Sequence, residues 1–110
     1  MMRFSPKASL PTGFLASGIS CGIRKSKRLD LALFYTWIPA VSACVFTANK
    51  IIAAPIKVCK RHLKANRFIH AILVNSGNAN CFTAEPGVRD AEVSASCVAR
   101  ALGKGKESIL

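Results

Sequence analysis

Asn75, Asn78 and Asn80 crowd into six positions with Ser76 and Gly77 between them, directly after the apolar run Ala71–Val74. Each primary amide offers two N–H donors and a carbonyl acceptor, so the cluster can hold an amide or carboxylate substrate, or brace a neighbouring loop. It cannot supply a nucleophile or a base, because an amide does not titrate at neutral pH. The competing reading, a self-capped Asx turn with no ligand, uses the same hydrogen bonds.

No other group of residues supplies a reaction. Ser76 lies outside a G-x-S-x-G elbow, and His62 and His70 come with no triad partner. His70, inside an apolar strand pattern, reads as a satisfied or surface histidine. The five acidic residues offer no catalytic pair. Cys21, Cys44, Cys59, Cys81 and Cys97 are odd in number and irregularly spaced, without a C-x-x-C, so neither a zinc site nor a disulfide framework follows. Cys59 with His62 is a lone pair at ligand spacing, and reduced thiols are the expected state of all five cysteines. Gly103-Lys104-Gly105-Lys106 lacks the preceding strand and full spacing of a phosphate loop. No metal and no cofactor are expected.

The elements that must position the amides follow from periodicity. Asn and Ser compete for backbone hydrogen bonds, so the strand Phe68–Val74 stops there and the cluster occupies the turn after it. α/β folds commonly place binding groups at such a connection. Beyond the turn, Val88, Ala91, Ala95, Val98 or Ala99, and Leu102 recur at helical spacing, which predicts a helix over 86–102. Pro86 suits its first turn, Asp90 and Glu92 its positive end and Arg100 its negative end, and Gly103 can close it. Upstream, residues 1–11 read as an irregular lead-in and residues 12–110 as part of a single α/β domain. Gly13–Ile23 reads as a strand tolerating close backbone approach. Leu29–Trp37 and Val41–Thr47 read as two buried strands divided at Ile38-Pro39. Ala53–Lys64 fits both periods, and a strand leading into a short helix that ends before Asn66 reconciles them.

Composition bounds the function. At 110 residues the chain can bury roughly 65% of its unfolded surface if it folds alone. With 51% hydrophobic and 19% charged residues it is not a disordered chain. A net charge of +11 invites a second class of function, a small basic protein binding nucleic acid or an anionic membrane. The bases are scattered, however (Arg24, Lys25, Lys27 and Arg28, then the Lys57–Arg67 stretch), with no aromatic binding motif among them. The uncharged run Leu31–Ala48 reaches the lower limit for a membrane span, and Val41-Ser42-Ala43-Cys44 resembles a lipoprotein box. Pro39, Thr36, Ser42 and Thr47 interrupt it, and it begins some thirty residues in, so strands explain it better. Neither nucleic acid nor membrane is the expected partner.

Several blocks match a known family in order and spacing. They are Gly13-Phe14 with Ala16 and Gly18, Gly22-Ile23, Asp30-Leu31-Ala32-Leu33, Pro39-Ala40, Val45-Phe46-Thr47 with Asn49, and Ala53-Ala54-Pro55. His62-Leu63, Val74-Asn75-Ser76-Gly77-Asn78-Ala79-Asn80, Thr83, Gly87 and Asp90-Ala91 complete the series. Together they resemble the start of ornithine acetyltransferases, also called glutamate N-acetyltransferases, over nearly the whole chain from residue 11. The resemblance implies an αββα sandwich made from a precursor that cuts itself into two chains, the second beginning with a nucleophilic threonine. It implies acetyl transfer from N-acetylornithine to glutamate in arginine biosynthesis, with acetyl-CoA also a donor in some members. A cytoplasmic enzyme and a higher oligomer go with it.

In that family a Ser-Thr-Gly-Val-Ile-Gly block with the oxyanion donors follows a segment like Glu107-Ser108-Ile109-Leu110, and the nucleophile comes later still. The resemblance therefore implies an amino-terminal portion that is inactive by itself and contains no catalytic residue. Within it, Asn75, Asn78 and Asn80 are the expected substrate-proximal groups. Trp37 stands where the family usually has a small or acidic residue, and Cys44 where glycine is usual. Cys81-Phe82-Thr83-Ala84 replaces the common Ala-Cys-Thr-Gly. These departures bear on local turn geometry.

Overall fold

The computed structural model describes residues 9–110. Of the expected lead-in, residues 1–8 lie outside the described residues, and residues 9–11 form no regular element. Strand β1 spans Phe14–Ile19, β2 Leu31–Val41 and β3 Phe68–Asn75; helix α1 spans Ala54–Ala65 and α2 Ala84–Leu102. The strands form one antiparallel sheet in the order β1-β2-β3, with Phe34 opposite both Ala16 and Ile72.

Alternation along the strands decides which face meets the helices. Leu33, Tyr35 and Ala71 pack against Ala95, Ala99, Val98 and Leu102 of α2, around the fully buried Ile109. Ala54 and Val58 of α1 pack on Val88 and Ala91 of α2. Phe14, Phe34, Ile72 and Val74 on the other face stay exposed. The result is one sheet layer and one helix layer. In the αββα arrangement implied above, the exposed face is where a second sheet packs.

Two expectations are corrected. Strand β2 does not stop at Ile38-Pro39 but runs through it, and no strand follows over 42–47. The proline is tolerated because the β2–β3 register shifts between Tyr35 and Ala40, so no ladder bond is asked of its missing N–H. His70 donates from Nδ1 to the Thr36 carbonyl at 3.0 Å inside that irregularity, since a carbonyl only accepts. The residues beyond β2 find no neighbouring strand, and Val45 is wholly exposed. The second correction concerns Ala53–Lys64, which contains no strand: α1 begins with Pro55 in its first turn and buries Ala54, Val58 and His62 at a spacing of four.

After α2, which Gly103 closes, the chain turns through residues 106–108 and lays Ile109 parallel to Ala71. Leu110 donates to Ala71 O at 2.9 Å and Leu73 donates to Leu110 O at 2.7 Å. This short pairing covers the outer edge of β3. It also brings the amide turn, α2 and the carboxyl-terminal segment together.

Candidate functional site

A cleft of about 570 Å³ opens where these three parts meet. Asn75, Asn78 and Asn80 all line it, with Gly77, Thr83 and Asp90 beside them. The sequence placed the three amides in one turn, and the structure brings them to one cavity. Their hydrogen bonds divide them into different roles.

Asn75, the last residue of β3, donates from Nδ2 to Asn78 O at 2.9 Å and closes the turn around Gly77. Gly77 has φ +93°, and a side chain there would also collide with the stem of Arg24 lying across it. Asn80 is committed to the start of α2. Its Nδ2 donates to Gly87 O at 2.7 Å, and its Oδ1 accepts Thr83 Oγ1 at 2.5 Å. Gly87 is buried, and a Cβ on it would overlap both Thr83 and Asn80. The carbonyl and the amide of Asn80 are thus both engaged within the protein. Asn78, by contrast, is exposed and its side chain makes no hydrogen bond among the described residues.

Asp90 is the one charged side chain lining the cleft among the described residues. Cys59 also lines it; burial pushes its thiol up from the ordinary value, with Cys44 adding to the shift. All five cysteines are free thiols. His62 is buried and donates from Nδ1 to Ile109 O at 2.8 Å, so its role is to tie α1 to the carboxyl-terminal segment. Among the described residues no group of three or more His, Cys, Asp or Glu could hold a metal ion.

Asp30 entered the sequence reading only through the Asp30-Leu31-Ala32-Leu33 block of the resemblance, with no role assigned to it. It is 2% exposed, and its carboxylate accepts the backbone N–H of Cys21 at 2.7 Å and of Arg24 at 2.9 Å. Those two donors, Arg24 first, hold its carboxyl down to about 2. The Asp30 carboxylate beside the Cys21 side chain, holding the thiol proton in a side-chain hydrogen bond, in turn raises that thiol. A signal existed: Asp30 is a single acid between a run of bases and an uncharged strand, in a chain with only five acids. Thr83 and Asp90 carried no cue beyond their place in the resemblance and at the start of a helix.

The positive charge is dispersed. Arg61 pairs with Glu92, Lys60 sits 5.3 Å from the Phe46 ring centre, and the three strands carry no lysine or arginine. No helix among the described residues is long and apolar enough to cross a membrane.

A helix-backed antiparallel sheet with an amide-lined cleft at the end of a strand defines a mixed α/β protein. The chain belongs to the ArgJ family, whose sequence pattern matches residues 15–110. It is 48% identical over 81 residues to the arginine biosynthesis bifunctional protein ArgJ of Bacillus licheniformis, covering 74% of this chain and 20% of that protein. The Bacillus subtilis protein of the same name is 41% identical over 103 residues, 94% of this chain and 25% of its own length. The chain thus spans a fifth to a quarter of these curated relatives.

Solved structures agree on the fold. The ArgJ protein of Bacillus halodurans superposes with a TM-score of 0.85 at 35% identity, over 89% of this chain and 51% of that one. An ornithine acetyltransferase from Mycobacterium tuberculosis, crystallised in complex with ornithine, gives 0.83 at 35% identity, over 90% and 54%. The family resemblance read from the amide block and its colinear companions is therefore correct.

Proposed function

We propose that this chain forms the amino-terminal part of a glutamate N-acetyltransferase of arginine biosynthesis, with the amide cleft as part of its substrate site. The enzyme moves acetyl from N-acetylornithine to glutamate in the cytoplasm. The observation that carries this reading is the match of residues 15–110 to a family of arginine biosynthesis, with the family's amide block lining a cleft. The ornithine carried by the Mycobacterium tuberculosis relative supports an amino-acid ligand. Asn78, whose side-chain amide makes no hydrogen bond among the described residues, is the group best placed to donate to a carboxylate or to an acetamido carbonyl, while Asn75 Oδ1, unbonded among the described residues, is placed to accept from an acetamido N–H or an ammonium group.

On this reading the nucleophile, a threonine freed by self-cleavage, comes from a second chain, and the residues of this chain bind and orient. The word bifunctional in the relatives' names suits two acetyl donors, the second being acetyl-CoA. The test is a hybrid in which residues 9–110 replace the matching segment of the Bacillus licheniformis protein. Acetyl transfer from N-acetylornithine to glutamate is expected. A hybrid that folds and cleaves itself but transfers no acetyl group would overturn the proposal.

A further inference from the structure

The strongest constraint around the cleft comes from a residue that does not line it. The carboxylate of Asp30 holds the N–H groups of Cys21 and Arg24, while its backbone carbonyl accepts the N–H of Ser76 at 2.9 Å and its own N–H reaches Ile19 O at 2.9 Å. One buried residue therefore fixes the 20–29 loop and the amide turn to the same point. The loop then lays the Arg24 stem over Gly77 and presents Ile23 to the cleft. Both oxygens of the carboxylate are used, each on a backbone donor, which are the stronger, charge-assisted kind of hydrogen bond.

We infer that Asp30 is a positioning residue of the amide cleft: by clamping the 20–29 loop, it sets where the turn carrying Asn75 and Asn78 stands. This rests on the proposed function only for its effect on turnover. Asn75 and Asn78 are held by a turn of four residues and a single side-chain bond, too little by itself to fix an amide to a fraction of an ångström. The added constraint that immobilises the turn is the Ser76 bond to the Asp30 carbonyl together with the Arg24 stem on Gly77. It depends on the aspartate being ionised and in place.

Asp30→Asn keeps the size of the side chain but turns an NH2 toward one of the two N–H donors. In the 110-residue chain, amide exchange is expected to quicken by roughly ten-fold at Cys21, Arg24 and Ser76, with Ala99 in α2 unchanged. Unchanged exchange at Ser76, or the same acceleration everywhere including Ala99, would overturn the inference. In the hybrid enzyme the same variant is expected to raise KM for N-acetylornithine by about ten-fold, with kcat within two-fold. A fall in kcat at unchanged KM, the sign of fewer folded molecules, counts against it. Arg24→Ala leaves the backbone N–H and the carboxylate untouched and removes only the stem. It is expected to raise KM about three-fold and to quicken exchange at Gly77 but not at Cys21, and no change in either overturns the role of that contact. If the parent hybrid transfers no acetyl, the proposed function fails while the exchange measurements still decide the clamp.

Discussion

His62 and Ile109 are joined by a buried hydrogen bond of 2.8 Å, imidazole Nδ1 to backbone carbonyl, across 47 residues of sequence. Among the described residues it is the polar link between α1 and the segment that pairs with β3. Both partners are shut away from water, His62 at 3% and Ile109 at 0% exposure. Removing the ring would leave a buried carbonyl without a donor, and a void beside Ile109.

His62→Ala is therefore expected to cost about 3 kcal/mol, the sum of an unpaired acceptor and a cavity. His62→Leu fills most of the void and leaves only the orphan carbonyl, so about 1–2 kcal/mol is expected. Urea unfolding of the two variants separates the contributions. Equal losses would mean that the hydrogen bond, not packing, holds this junction.

Ala84 opens α2 with φ 49°, in the left-handed region where a Cβ is unfavourable by roughly 1–2 kcal/mol. The family resemblance puts glycine at this position. Ala84→Gly relieves the strain but gives the unfolded chain more freedom, a loss of about 0.4–1 kcal/mol. A net gain of about 0.5 kcal/mol is expected, seen as a rise of a few degrees in Tm. A lower Tm would show that the freedom gained by the unfolded chain outweighs the relief at Ala84.

Asp30 ties stability to acid. Its carboxyl is lowered from an ordinary 3.8 to about 2, so the unfolded chain takes up the proton first as pH falls. The stabilisation is complete above about pH 5, declines as the unfolded chain protonates, and is gone once pH passes below about 2. The denaturation midpoint of the parent should thus fall between pH 5 and 2 more steeply than that of Asp30→Asn. Parallel curves would exclude Asp30 as the source.

How far the sequence could be read depended on whether local period or tertiary contact decided each element. Helix α2, expected over 86–102 and found over 84–102, has a stripe that alternatives cannot match, and β3 extends only one residue beyond the expected Phe68–Val74. Pro39 misled because its tolerance comes from a register shift, a property of the β2–β3 pair and invisible in β2 alone. Val45 and Phe46 have strand-forming side chains but no partner strand, and β structure cannot form without one. Asn80 shows the same limit at the site. Its type announced hydrogen bonding, but only the approach of Gly87 and Thr83 determines that the bonds go to the protein.

That difference makes the asparagines separable. Asn80→Ala deprives the Gly87 carbonyl and the Thr83 hydroxyl of their partner at the start of α2, and is expected to cost about 1–2 kcal/mol, read as a lower Tm. Asn78→Ala removes an exposed amide that bonds to nothing in the described residues, so Tm should stay within about a degree. In the hybrid enzyme the order reverses. Asn78→Ala is expected to raise KM for N-acetylornithine by roughly ten-fold through loss of a substrate hydrogen bond, the scale of about 1.4 kcal/mol. A lower Tm with unchanged kinetics in the Asn78 variant would make Asn78, like Asn80, a brace of the turn and not a substrate group.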